Sequence, residues 1–146
     1  MECIFCRILQ GKIPAAIVLE DGVSCAFLDT RPLFPGHCLL VPRQHVETLV
    51  DLPADMLGPL FANAQRLARA VETGLGAEGS FVAVNNRVSQ SVPHLHIHLV
   101  PRRKKDGLKG FFWPRTPYKS EEEMQEVAAK LRAALDRITA DEPGAV

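Results

Sequence analysis

The chain carries no net charge: Lys and Arg number 17, Asp and Glu number 17, and the pI is near 7.0. A protein that grips nucleic acid through its whole surface needs a basic excess, which is absent. No apolar stretch approaches the roughly eighteen uninterrupted residues of a membrane-spanning helix. The start, Met1-Glu2-Cys3-Ile4-Phe5-Cys6, lacks the basic opening and long apolar run of a signal peptide, so a cytoplasmic protein is expected. There are no internal repeats and no interdomain linker. Hydrophobic residues at 47%, charged residues at 23%, and 10 Gly with 11 Pro in 146 residues exclude disordered, collagenous and coiled-coil classes. One domain with a substantial core is the expectation. Cysteine is sparse: in a cytoplasmic chain, Cys3, Cys6, Cys25 and Cys38 suggest a metal site or buried thiols before disulfides.

The charge is balanced but unevenly spread. Arg102, Arg103, Lys104, Lys105, Lys109, Arg115 and Lys119 face only Asp106 locally, and Glu121, Glu122, Glu123 and Glu126 follow at once. A solvated loop ahead of an acidic helix start accounts for this. A guide for polyanionic substrates is the alternative, one that salt would weaken.

Residues 16–20 and 23–29 are short apolar runs joined by Asp21-Gly22, a hairpin signal of the type I′ kind. Pro35-Gly36 turns into a third strand over 37–41. From Asp51 the period becomes helical through Met56, Leu57, Leu60, Ala64, Leu67, Ala68 and Val71. Pro59 predicts a kink or a lead-in turn, and Gly74 and Gly76 the end. Residues 80–84 and 95–100 read as two more strands. A last helix starts after Ser120, with Glu123 completing a capping box. Its apolar stripe is Met124, Val127, Leu131, Leu135 and Ile138. From Asp141 a loose tail is expected. The order predicts an α+β domain with a mainly antiparallel five-stranded sheet and two main helices.

The most informative segment is His94-Leu95-His96-Ile97-His98-Leu99-Val100. Side chains alternate across a strand, so the three histidines share one face and Leu95, Ile97 and Leu99 the other. His94 and His98 would lie roughly 13 Å apart along it. That is too far for one zinc ion to hold all three easily, although neighbouring pairs can.

The segment resembles, at every position, the signature of the histidine-triad (HIT) superfamily of nucleotide hydrolases and transferases. The resemblance extends to Glu20-Asp21, Ala26-Phe27-Leu28-Asp29, Pro32, Pro35-Gly36-His37, Val41-Pro42, His45 and Gln90-Ser91-Val92. It covers residues 3–102, with a loop and helix over 103–140 completing a single domain 1–140 before the 141–146 tail. It implies that His96 is the nucleophile, aimed by a backbone carbonyl, with His98 and His37 lining a phosphate pocket. A largely neutral imidazole with a free lone pair suits attack on phosphorus. Ser91 matches a hydroxyl that passes a proton to the leaving group, and Gln90 a side chain that orients phosphate or water. Asp29 matches the carboxylate that accepts from both ribose hydroxyls. Ile4, Phe5, Ile8 and Phe27 match an apolar slot for the base, and Asn85 opens the phosphate-side loop. Each has a plainer alternative: Phe5 and Phe27 as core, Asp29 as a turn former, Ser91 as a solvated hydroxyl.

Two features bear on the branch. Many relatives carry glycines between Asn85 and Gln90, whereas this loop reads Asn85-Asn86-Arg87-Val88-Ser89-Gln90. Arg87 then either meets a phosphate beyond the α position or points into solvent. The order Cys3-x-x-Cys6, His45, His94 resembles the zinc-bearing bacterial branch. Two thiolates and two imidazoles would close a neutral, structural Zn²⁺ site. The plainer reading leaves Cys3 and Cys6 as ordinary thiols, with Cys25 and Cys38 buried. The resemblance therefore implies a zinc-containing hydrolase of purine nucleotide conjugates or dinucleoside polyphosphates. It would act through a nucleotidyl-His96 intermediate without a catalytic metal, as a homodimer whose sheet continues across protomers. A nucleotide-binding sensor with incidental turnover and a metalloenzyme centre are the rivals. Neither a membrane nor nucleic acid is an expected partner. His98 speaks against the hexose-phosphate transferase branch, where glutamine is usual. Residues 107–118, with Phe111, Phe112, Trp113 and Pro114, match nothing general in the superfamily.

Overall fold

Near the start of the chain, apolar side chains at Ile4, Phe5, Ile8 and Leu9 recur at the spacing of one helix face. They form α1, Ile4–Leu9, which the sequence reading did not anticipate. The computed structural model describes residues 2–108 and 115–141, and the chain divides into two units, Met1–Asp106 and Gly107–Val146.

In the first unit, β1 (Ile17–Glu20) and β2 (Ser24–Leu28) pair antiparallel as the expected hairpin. The turn is built differently from the expectation. Gly22 is not among the glycines with positive φ, which a type I′ turn would demand. Instead the Asp21 carboxylate accepts the Val23 and Ser24 amides at 2.8 and 2.9 Å. Then come β3 (Cys38–Pro42), a 3₁₀ turn (Leu49–Asp51), α2 (Ala54–Leu75), β4 (Gly79–Val84) and β5 (Ile97–Arg102). The sheet order is β1-β2-β3-β5-β4, and every pairing is antiparallel. Pro59 lies inside α2, with the 3₁₀ turn as the lead-in. Gly76 closes the helix in the left-handed region at φ 67°.

Alternation across the strands divides two cores. Ala26, Leu40, Ile97 and Leu99 face α2, where they meet Leu60, Ala64, Leu67 and Val71. Full burial of a Leu such as Leu40 or Leu60 contributes roughly 1.5–3 kcal/mol. Buried Asn63 of α2 donates to Asp21 at 2.7 Å and Ser24 at 2.8 Å, fixing the helix on the hairpin. On the opposite face Cys25, Phe27, Leu39 and Val41 pack with Phe5 and Ile8 of α1. Leu39 pairs with both Phe27 and His98, so His98 emerges on the α1 face. That face carries the site.

One expectation needs correction. The triad does not lie wholly on a strand, because β5 begins only at Ile97. The Leu95 amide bonds Val46 and the His94 amide bonds Val92, so this stretch is committed outside the ladder. The side chains still alternate: Leu95, Ile97 and Leu99 join the α2 core, while His94 and His96 meet Phe5 of α1.

In the second unit α3 runs over Glu121–Asp141. Ser120 Oγ accepts the Glu123 amide at 3.1 Å, one half of the expected capping box. Glu123 reaches the Lys119 amide at 2.6 Å in place of that of Ser120. Met124, Val127, Leu131, Leu135 and Ile138 of the apolar stripe are all exposed. The tail over 142–146 and the stretch Phe111, Phe112, Trp113, Pro114 lie outside the described residues.

Gly36 sits at φ +98°, where a Cβ would run into Leu75 and Pro101. Gly36→Ala is therefore expected to lower stability by about 1–3 kcal/mol, through both backbone strain and crowding. Urea unfolding would show it as a lower midpoint with an unchanged slope.

Candidate active site

The α1 face opens into a cavity of about 420 Å³. Eight of the residues singled out from sequence line it: Ile4, Phe5, Ile8, Phe27, Asp29, Ser91, His96 and His98. Phe5 meets Phe27 edge-on at 5.5 Å and His96 at 5.1 Å between ring centres, so the apolar wall runs up to the histidine. Ile13, Leu39, Thr30 and Arg31 also line the cavity and were missed; Val92, which the resemblance included without a role, lines it too. Leu39 was legible, being two residues from Val41 on a strand paired to the Phe27 strand. Arg31 had no signal beyond standing two residues after Asp29.

His96 Nδ1 donates to the carbonyl of His94 at 2.7 Å. A carbonyl can only accept, so Nδ1 carries the proton and Nε2 keeps its lone pair. His96 is itself only 3% exposed. Asp29 follows β2, its amide bonded to the His37 carbonyl at 2.9 Å. Its Oδ1 takes the Arg31 amide at 2.9 Å, which fixes the carboxylate. His37 does not line the cavity. It lies behind His98, with Nε2 3.0 Å from His98 Nδ1 and 3.9 Å from Asp29 Oδ2. Its own Nδ1 accepts the Leu33 amide at 3.1 Å.

Two of the residues singled out stand elsewhere. Asn85 is exposed and does not line the cavity. Gln90 spends both ends of its amide on the main chain: Oε1 accepts from Arg87 N–H at 2.8 Å, and Nε2 donates to Glu47 O at 2.6 Å. It braces the loop ahead of Ser91. In the basic stretch, Arg102 pairs with Asp106 and Arg103 donates to Leu75 O at 2.6 Å, as a loop tied to its own chain would.

A second group lies beside the cavity. The side-chain donor atoms of Cys3, Cys6, His45 and His94 all fall within 4.8 Å of one another. Cys3 caps α1 and Cys6 sits in its first turn, and residues three apart share a helix side. The Nδ1 of buried His94 is 3.5 Å from Cys3 Sγ and 3.6 Å from Cys6 Sγ, and His45 Nδ1 is 3.3 Å from Cys6 Sγ. His94 Nε2 donates to Pro42 O at 2.9 Å, leaving the Nδ1 lone pair facing the thiols. Tetrahedral zinc with ordinary Zn–S and Zn–N bonds would hold N and S roughly 3.6 Å apart. The donor set fits.

Burial acts on four of these groups, Cys6, His37, His94 and His98. It pushes the Cys6 thiol up, assisted by Cys3, and the His94 and His37 imidazoles down. His98 falls furthest, to about 4, mainly from burial, with His96 and His37 adding to it.

A cavity on the α1 face of an antiparallel sheet, with alternating histidines at the head of β5, defines a histidine-triad protein. The HIT domain model matches residues 10–105, and the chain belongs to the HIT family. It is 38% identical over 122 residues to an HIT-like protein of Mycobacterium tuberculosis, spanning 80% of this chain and 85% of that one. It is 31% identical over 137 residues to an adenosine 5′-monophosphoramidase of Schizosaccharomyces pombe, spanning 90% of this chain and 100% of that one. Among solved structures it is similar to a Zn-bound histidine triad family protein from Mycobacterium smegmatis. The TM-score is 0.71 at 37% identity, covering 92% of this chain and 98% of that one.

The depressed histidines set a pH dependence. An unfolded imidazole takes a proton near 6.5, whereas folded His98 refuses it until about 4. The unfolded state thus binds more protons in that window. Stability is full above about pH 6.5 and falls as pH drops towards 4. The urea midpoint is expected to fall between pH 7 and pH 5, and less so in His98→Gln. An equal fall in the variant would show that His98 is not the group responsible.

Proposed function

We propose that this chain is a nucleotide hydrolase that cleaves a nucleoside 5′-phosphoramidate or phosphoanhydride through a nucleotidyl-His96 intermediate. The observation that carries the reading is the His96–His94 hydrogen bond of 2.7 Å, which leaves the Nε2 lone pair on a ring that lines the cavity. In the first step Nε2 attacks the α-phosphorus, an N–P bond forms and the bond to the leaving group breaks. Ser91 passes the leaving group its proton. In the second step water attacks phosphorus and gives up a proton that restores the Ser91 hydroxyl, and the N–P bond breaks with its electron pair returning to Nε2. The nucleoside monophosphate leaves, and one difficult displacement has become two easier ones.

Asp29 accepts from the ribose hydroxyls, Phe5, Phe27, Ile4 and Ile8 hold the base, and His98 donates to a phosphoryl oxygen. Gln90 contributes by holding the loop that delivers Ser91, and exposed Asn85 has no direct role in this scheme. The phosphoramidate class is supported by the likeness to the yeast monophosphoramidase.

Cys3, Cys6, His45 and His94 would hold Zn²⁺, which supplies a closed structural tie between α1 and the segment leading to His96. That assignment is supported by the likeness to the Zn-bound mycobacterial protein and by the donor distances. Two thiolate ligands suit a reducing compartment, the cytoplasm. Among the described residues no helix is long and apolar enough to cross a membrane. The homodimer would extend the sheet at β4, which stands last in the strand order of the described residues.

Millisecond quench with adenosine 5′-phosphoramidate is expected to give an acid-labile adduct of AMP mass on the intact protein. The adduct should be absent in His96→Ala, with turnover reduced on the order of 10⁴-fold or more. Nucleotide binding without an adduct or consumption in the wild type would favour a sensor instead. Chelation of the bound metal is expected to lower the thermal midpoint, with Cys6→Ala reproducing the loss. A midpoint unmoved by chelator would remove zinc from the fold.

A further inference from the structure

Among the described residues, two clusters carry a metal-ligating donor set. Besides Cys3, Cys6, His45 and His94, the donor atoms of Asp29, His37 and His98 also lie within 4.8 Å of one another. Counted by residue type, both are candidates. The main chain treats them in opposite ways.

A neutral imidazole has one proton and one lone pair, so whatever bonds one nitrogen decides what the other offers. In the first cluster the outer nitrogen of His94 meets a carbonyl, Pro42 O at 2.9 Å. The proton stays there, and the lone pair is turned inward to the thiols. In the second cluster the outer nitrogen of His37 meets an amide, Leu33 N–H at 3.1 Å. An amide only donates, so Nδ1 must supply the lone pair and Nε2 must carry the proton. That proton points at His98 Nδ1, 3.0 Å away, and occupies its lone pair in turn. Both imidazole atoms that a metal would need are committed to each other. His98, which lines the cavity, is left with Nε2–H as its remaining polar atom.

We propose that the Leu33 main-chain amide commits His37 and His98 to one tautomer, making His98 a fixed N–H donor to the cavity and denying the Asp29–His37–His98 cluster to divalent metal. His37 is then a positioning residue that acts through His98. The same chain thus sorts zinc into one cluster and keeps it out of the other by exchanging a backbone acceptor for a backbone donor. Only the identity of the group that receives the His98 proton, a phosphoryl oxygen, rests on the nucleotidyl-transfer reading. The tautomers and the metal exclusion stand apart from it.

The test uses the full chain with zinc in its Cys/His cluster. Long-range proton–nitrogen correlation on nitrogen-15-histidine protein near pH 7 should show His37 and His98 each with a bare Nδ1 and a protonated Nε2. A protonated Nδ1 on His37 overturns the proposal. In parallel, added Zn²⁺ is titrated calorimetrically against the wild type and Leu33→Pro, which deletes that one N–H. The wild type should take no second ion into this cluster. The variant should bind one at least about tenfold more tightly, the scale of one hydrogen bond, with that binding lost when His98→Ala is added. A second ion in the wild type, abolished by Asp29→Asn or His98→Ala, overturns the proposal. So does a folded Leu33→Pro protein with unchanged zinc affinity. Should Leu33→Pro fail to fold, the wild-type tautomers decide. Loss of turnover in His96→Ala bears on the reaction alone, so the two readings fail separately.

Discussion

The site depends on a main-chain carbonyl and a side chain belonging to the same residue. The His94 carbonyl accepts the His96 Nδ1 proton at 2.7 Å, and the His94 ring is clamped between Pro42 O and the two thiols of α1. Whatever fixes the ring fixes the peptide that aims His96, because they share one Cα. A metal at Cys3, Cys6, His45 and His94 would therefore act on the reaction without touching substrate, by narrowing the orientations open to His96. The same ion would pin Phe5 of α1, whose ring packs on His94 and His96 at 5.8 and 5.1 Å between centres. The wall of the cavity and the orientation of His96 are set by one cluster.

The sheet makes this compatible with a stable core. With a side-chain period of two, the α2 face of the strands can be almost wholly apolar, Ser24 bonded to Asn63 being the polar exception, while the α1 face carries chemistry. Ile97 and Leu99 are almost or fully buried against α2, and His98 between them emerges opposite. The cost falls on the histidines. Burial holds His37 and His98 below their ordinary values, so the fold gives up acid stability to keep neutral imidazoles at the cavity.

Much of this was legible because it rests on periodicity and on side-chain identity. Five strands, the long helix and the histidine alternation follow from spacing alone, and eight site residues reach the same cavity. What escaped depended on which backbone group each side chain meets. Asp21 holds its hairpin by accepting two amides, and an Asp-Gly pair does not distinguish that from a type I′ turn. With six residues, α1 is too short for its apolar spacing to stand out. The histidine segment reads as strand, yet Leu95 bonds Val46 and the ladder starts two residues later. Gln90 shows the same limit, since its amide is used on Arg87 and Glu47.

The loop between Asn85 and Gln90 shows how a missing residue type can be compensated. Without glycine, a backbone that enters the left-handed region costs roughly 1–2 kcal/mol per residue. Arg87 and Ser89 nonetheless sit at φ 69° and 60°. The surroundings supply what the residues do not: Gln90 takes the Arg87 amide, Asn86 Oδ1 takes the Leu49 amide at 2.8 Å, and the Val88 amide bonds Asn86 O at 2.8 Å. Each such bond contributes about 1 kcal/mol net, enough together to offset the strain. The loop thus reaches a glycine-like path through side-chain bracing, and it brings Ser91 to the cavity with two side chains, Arg87 and Ser89, that a glycine loop would not carry. Any effect of those side chains on leaving-group choice would come on top of a backbone already held in place.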